Sequence, residues 1–226
     1  MNPVMGLALL LALEAGASGD AIPLPGPEGL TMSVGEALVK RHSARRFDSA
    51  AKLTRAQIGA LLWAAAGITR ADPAHPQGGK RTAPSAFGSA SIDVFVASEE
   101  GTFLYSPKEH ALLPRDTADL RGKLAGAAWA KDAPVLLILV ANFDRYPERT
   151  SAPERRDYAF ADGAAAGENI YLAAAALGLG TVLTMSSISE AATLLKLGKD
   201  QRALFVFPVG REVPEEKPEK DKAPGK

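Results

Sequence analysis

The 226-residue sequence predicts an α+β fold, with a central mixed or antiparallel sheet flanked by helices. Three observations predict it. Strand-like and helix-like segments are intermixed without the strict alternation of a doubly wound sheet. Val135 to Val140 is an unbroken apolar run after Pro134, as a strand covered on both faces requires. Tyr158 to Leu177 is a long alanine-rich helical stretch closed by Gly178. Its small side chains admit another helix at close range, inside the core or across a dimer axis.

The elements follow in order. Val4 to Leu13 is apolar, and Ala15-Gly16-Ala17 supplies small residues suited to cleavage, so residues 1–19 are expected to be a secretory signal peptide and the protein to be exported to the periplasm. The run is too short to span a bilayer. No Lys or Arg precedes it and Glu14 stands near the cleavage site, which leaves open a cytoplasmic protein whose N-terminal helix packs on a partner subunit. Residues 31–212 form the expected folded domain. Ser33-Val34-Gly35-Glu36 has the capping-box form and opens a helix leading to Arg41. Thr54 with Gln57 opens a second helix, in which Ile58, Leu61, Leu62 and Ala65 form one stripe and Gly67 is the stop.

Ser91 to Ser98 alternates and is β-branched, which predicts a strand. Thr102 to Tyr105 and Ala111 to Leu113 predict a hairpin, and Ala118 to Trp129 a helix. After the alanine-rich helix come an expected strand at Thr181 to Met185, a helix from Ser189 (its cap) to Leu197, and a last strand at Ala203 to Val209. Residues 213–226 are charged and proline-rich with nothing to bury, and are expected to be a disordered tail.

Composition excludes several functions. Lysines and arginines number 26 and acidic residues 26, so no net field attracts nucleic acid or an anionic membrane. The absence of cysteine removes disulfides, thiolate metal sites and cysteine nucleophiles together. His42, His75 and His110 are scattered without metal-ligand spacing.

The chemistry lies in short motifs. Arg41-His42-Ser43-Ala44-Arg45-Arg46-Phe47 packs three arginines, a histidine and a hydroxyl where a helix gives way to a loop. Arginine's planar fork suits phosphate oxygens, although such a cluster is as often a solvated basic turn. Thr82-Ala83-Pro84-Ser85-Ala86-Phe87-Gly88 is a loop of small residues before a strand, open to a flat or anionic ligand or simply a turn. Ser85 lacks the Gly-x-Ser-x-Gly setting of a hydrolase nucleophile. Gly178-Leu179-Gly180 stands in the order helix, glycines, strand, the reverse of a dinucleotide loop, and is better explained as a helix stop and a tight turn. Glu168 is given no role.

Taken in order, the Arg41–Phe47 segment, the helix Leu53 to Gly67, the segment Arg81-Thr82-Ala83-Pro84-Ser85-Ala86, and the closing pair Ala176 to Val182 and Phe207 to Arg211 resemble the FMN-dependent nitroreductase family. Within it the chain is most similar to the branch of the peptide-azoline dehydrogenases. The resemblance implies a homodimer that clasps FMN between its subunits. Arg41 and Ser43 would hold the phosphate and ribityl chain, with His42 nearby, and Arg45 would reach the pyrimidine edge. Pro84, Ser85 and Ala86 would line the ring from the partner subunit. Backbone N–H groups around Thr184, Met185 and Ser186 would face the flavin N5, and Arg211 is a further phosphate candidate.

The implied activity passes electrons from NAD(P)H through the flavin to a nitro, quinone or azoline-type acceptor. The alternative is a non-catalytic flavin-binding or partner-binding protein on the same fold. Two departures bear on the substrate: Phe87-Gly88-Ser89-Ala90 offers no Asn after the Pro-Ser pair, and Met185-Ser186 stands where several members have Glu-Gly.

Overall fold

The computed structural model describes residues 19–185 and 188–213. The body of the expected signal peptide, the expected tail beyond Val213, and Ser186 lie outside the described residues. In chain order the elements are β1 (Ile22–Pro23), α1 (Val34–Lys40), α2 (Arg55–Ala66), β2 (Ile68–Ala71), β3 (Gly79–Arg81), β4 (Ile92–Ser98), β5 (Gly101–Ser106), β6 (Ala111–Asp116), α3 (Arg121–Leu124), β7 (Val135–Asn142), α4 (Ala152–Ala176), β8 (Gly180–Thr181), α5 (Ile188–Leu194) and β9 (Gln201–Gly210).

Seven strands form one sheet in the order β1-β6-β5-β4-β7-β9-β8, and β2 and β3 form a separate ribbon. Every strand pair in the sheet is antiparallel. The predicted central strand is β7, flanked by β4 and β9 and buried along nearly its whole length. Its period of two divides the core. Val135, Leu137, Leu139 and Ala141 face one apolar cluster, while Leu136, Ile138 and Val140 face another. The first cluster takes in α2 and α4. The second takes in α3 and α5.

Alanine and glycine in α4 let the helix lie close to the sheet. A Cβ on Gly167 would stand 2.7 Å from Phe207 Cζ, and one on Gly163 would stand 3.0 Å from a Phe205 ring carbon. Phe205 and Phe207 point from the same face of β9, so two glycines one turn apart accept two aromatic rings in succession. Gly178 ends the helix with φ of 67°, and Leu179 N–H reaches back to Ala174 O at 2.8 Å, closing a Schellman motif.

Both predicted capping boxes are present, Ser33 with Glu36 and Thr54 with Gln57. Four expectations are corrected. The Ala118–Trp129 helix is a single turn, because Gly126 takes a left-handed φ of 69° just after it. Helix α4 starts at Ala152, where Ser151 and Glu154 form a third capping box and Pro153 sits in the first turn. The Thr181–Met185 strand shrinks to Gly180–Thr181 plus an isolated bridge from Thr184 to Val206. Ser189 lies inside α5 rather than capping it, and Lys196, at φ 53°, ends the segment before Gly198.

Candidate functional site

The Arg41–Phe47 segment leaves α1 and runs alongside β8. Ser43 bridges Thr181 in the parallel sense, and Ala44 N–H donates to Thr181 O at 3.0 Å. Gly180 is required by this approach, since a Cβ there would stand 2.5 Å from the Ala44 Cβ. The segment is thereby set against α4 at Tyr171. The Arg41 guanidinium lies over the Tyr171 ring at 4.9 Å, and Ser43 Oγ is 3.2 Å from the Tyr171 hydroxyl. That hydroxyl also accepts from Leu183 N–H at 2.8 Å.

Arg41 Nε is buried, and among the described residues it has no hydrogen-bond partner. A buried N–H left unpaired is costly, so this edge of the guanidinium has room for an acceptor that the described residues do not supply. A phosphate oxygen has the charge and geometry to complete it.

His42 is engaged differently. Nδ1 donates to Lys40 O at 3.0 Å and Nε2 donates to Glu212 Oε2 at 2.6 Å. Both partners are oxygens, an arrangement that favours the doubly protonated ring. The Lys40 carbonyl first, then Glu212, raises its pKa above the ordinary histidine value. His42 thus ties the 41–47 segment to the end of the sheet, where Phe47 bridges Glu212. Arg45, Arg46 and Arg211 are exposed around this tie.

The second cluster centres on Asp162, a buried residue of α4. Its Oδ2 accepts from the hydroxyls of Ser85 at 2.6 Å, Ser91 at 2.9 Å and Tyr146 at 2.9 Å. Its Oδ1 accepts from Ala86 N–H at 2.9 Å. Burial pushes the Tyr146 phenol up, which keeps it a donor. Ser85 therefore spends its proton on Asp162, and what the Pro84-Ser85-Ala86 loop offers outward is backbone and the Pro84 ring.

The two clusters do not meet within one chain. From Asp162 to Tyr171 is two and a half helical turns, so they lie roughly 13 Å apart along α4 and on opposite sides of it. The two clusters therefore face away from each other across α4. In the third group Thr184 N–H donates to Val206 O at 2.9 Å, Met185 is exposed, and Ser186 lies outside the described residues.

Sequence reasoning missed Asp162, Tyr171, Tyr146 and Glu212. Asp162 and Tyr171 sit in an alanine-rich helix with no local motif to mark them. Only the i, i+4, i+8 relation of Gly163, Gly167 and Tyr171 signals the face that packs on β9. Among the described residues no group of acidic or histidine side chains is placed to hold a metal.

Residues 38–211 match the model of the nitroreductase family. The chain belongs to the nitroreductase family. A nitroreductase-family crystal structure from Ralstonia eutropha is 34% identical, superposes with a TM-score of 0.77, and is matched over 95% of this chain and 99% of that one. A Methanocaldococcus jannaschii protein described as a candidate nitroreductase is 29% identical over 86% of this chain and 99% of its own length. A crystal structure described as a candidate NADH oxidase from Clostridium acetobutylicum, 22% identical with a TM-score of 0.57 over 80% of this chain and 89% of that one, shares the fold. As a nitroreductase-family chain, the protein is an oxidoreductase by family, on a fold of helices and antiparallel sheet. Among the described residues no helix is long and apolar enough to cross a membrane.

Proposed function

We propose that the protein is an FMN-dependent oxidoreductase, working as a homodimer, that passes electrons from NAD(P)H to an electron-poor acceptor. The observation that carries this reading is the buried Nε of Arg41, without a partner among the described residues, beside the Ser43 hydroxyl. Arg41 and Ser43 would bind the phosphate end, with the Tyr171 ring and hydroxyl holding both in place. Exposed Arg45 would set a fixed positive charge at the pyrimidine edge, a contribution that needs no reorganisation. The Pro84–Ala86 loop, held by Asp162, would border the ring from the other subunit and exclude water from it. FMN, when bound, supplies the hydride-accepting and electron-donating chemistry, which is why no side-chain nucleophile is needed.

The placement of the two partial sites on opposite sides of α4 supports the dimer, in which a ligand held by the Arg41 segment of one chain meets the Pro84–Ala86 loop of a second copy. Val34, Leu38 and Val39 are exposed on α1, beside an apolar hollow of about 410 Å³ lined in part by Leu30, Met32, Trp63 and Leu172. Such a face suits a second copy of the chain.

The Arg81-Thr82-Ala83-Pro84-Ser85-Ala86 segment supports placing the acceptor among azoline-type heterocycles, alongside nitro compounds and quinones. An exported protein would receive its electrons away from cytoplasmic NAD(P)H, and the mass of the mature N-terminus tests that part. The second reading, a non-catalytic flavin-binding or partner-binding protein, is favoured by one observation: the Thr184 N–H is committed to Val206. The deciding experiment is a visible absorption spectrum after FMN addition and removal of the excess, followed by NAD(P)H. Retained flavin bands that bleach support the oxidoreductase; retained bands that never bleach support the second reading. A colourless protein overturns both flavin readings.

A further inference from the structure

The turn after Ser85 holds a bulky residue in a conformation that glycine or asparagine would adopt more easily. Phe87 has φ 58° and ψ 11°, followed by Gly88 at φ 67° and Ala90 at φ 48°. A left-handed backbone strains any residue with a Cβ. Burial does not offset the strain, because Phe87 is 52% exposed. The loop is held there from below. Asp162 accepts from Ser85 and Ala86, and His75 Nε2 donates to Gly88 O at 2.9 Å while its Nδ1 accepts from Gln77 N–H.

What the loop presents is specific. The Phe87 ring meets Tyr158 edge to face, centroids 5.4 Å apart at 89°. Arg149 lies over the Phe87 ring with its guanidinium carbon 4.9 Å from the centroid. Arg149 is exposed, and no carboxylate pairs with it among the described residues. A stacked guanidinium keeps its donor fork free at the edge, where a carboxylate can bind bidentately. An aromatic ring held beside it offers offset or edge contacts to a planar partner.

We propose that Phe87 and Arg149 form an acceptor subsite that selects a planar aromatic acceptor carrying a carboxylate. The inference rests on the reading that residues 84–86 border the flavin. Arg149 takes the carboxylate away from the reacting group, and Phe87 with Tyr158 aligns the ring. A neutral ring of the same size keeps only the aromatic part of the contact.

The test is isothermal titration of FMN-loaded protein with 4-nitrobenzoate and with nitrobenzene, for the wild type, Arg149→Gln and Phe87→Leu. Reoxidation of dithionite-reduced protein by the same two acceptors gives a second readout. Leucine, like phenylalanine, carries a Cβ, so it tests the ring rather than the backbone. The wild type is expected to bind the carboxylate compound about tenfold more tightly, the scale of one charge-assisted contact at a partly exposed site. Arg149→Gln should erase that preference, and Phe87→Leu should weaken both compounds, with FMN affinity unchanged in each variant. Equal affinities in the wild type, or a preference that survives Arg149→Gln, overturn the subsite. The visible spectrum of the same samples separates the two failures. Protein that takes up no FMN overturns the functional reading and the subsite with it; loaded protein that does not discriminate overturns the subsite alone.

Discussion

One carboxylate of α4, Asp162, grips both the side chain of Ser85 and the backbone of Ala86, at 2.6 Å and 2.9 Å. The contact spans 77 residues of sequence and converts a loop of small residues into a fixed surface. Ser91 and Tyr146 complete the set, so the buried acceptor is saturated by four donors.

Asp162→Ala should therefore destabilise the protein by about 3 kcal/mol, since it strands several buried donors at once. Ser85→Ala removes a single donor and should cost about 1 kcal/mol. Urea denaturation of the two variants checks the ratio. Equal losses would mean that the carboxylate is not the organising group.

Gly167→Ala should cost about 2 kcal/mol by overpacking, because the new Cβ would sit 2.7 Å from Phe207 Cζ. Gly122→Ala is the contrast: nothing lies within 4 Å of its Cβ position in α3, so it should gain about 0.5 kcal/mol. Thermal melts that rank these two the other way would refute the close α4–β9 packing.

Arg45→Ala should weaken FMN binding about tenfold and slow flavin reduction, while Arg46→Ala leaves both near wild type. Both arginines are exposed and adjacent, so general charge loss is the same in each. Fluorescence titration of FMN separates a directed contact from a diffuse field; equal affinities in the two variants would sink the assignment.

The His42–Glu212 pair should loosen as pH rises. Its raised pKa means that the imidazolium's contribution is complete below the ordinary value of about 6.5 and is lost as pH climbs through the higher folded value. The melting-temperature gap between wild type and Glu212→Gln should be widest near about pH 6 and narrow as pH climbs above the ordinary histidine value. A gap that widens with pH would show that His42 is not the charged partner.

The sheet, the capped helices and the arginine segment were legible because each is written locally. Capping boxes, an apolar run after proline and alternating β-branched residues carry their own signals. The Ala118–Trp129 stretch misled because alanine content suggested a helix that Gly126 interrupts. The β2–β3 ribbon was missed: its residues, Ile68–Ala71 and Gly79–Arg81, are mostly polar or glycine and pair across a short loop without alternation. Asp162 and Tyr171 were invisible for another reason. Their partners come from 76 and 128 residues away, and one-dimensional patterns do not carry such pairings.

Because Asp162 and Tyr171 ride on the same uninterrupted helix, α4 acts as a ruler whose length changes only in whole steps. One inserted residue between them would swing Tyr171 about 100° away from Arg41 while Asp162 stayed on Ser85; four would bring it nearly back. The two partial sites are thus phase-locked through the middle of the protein, and lengthening there is tolerable only by about one full turn at a time.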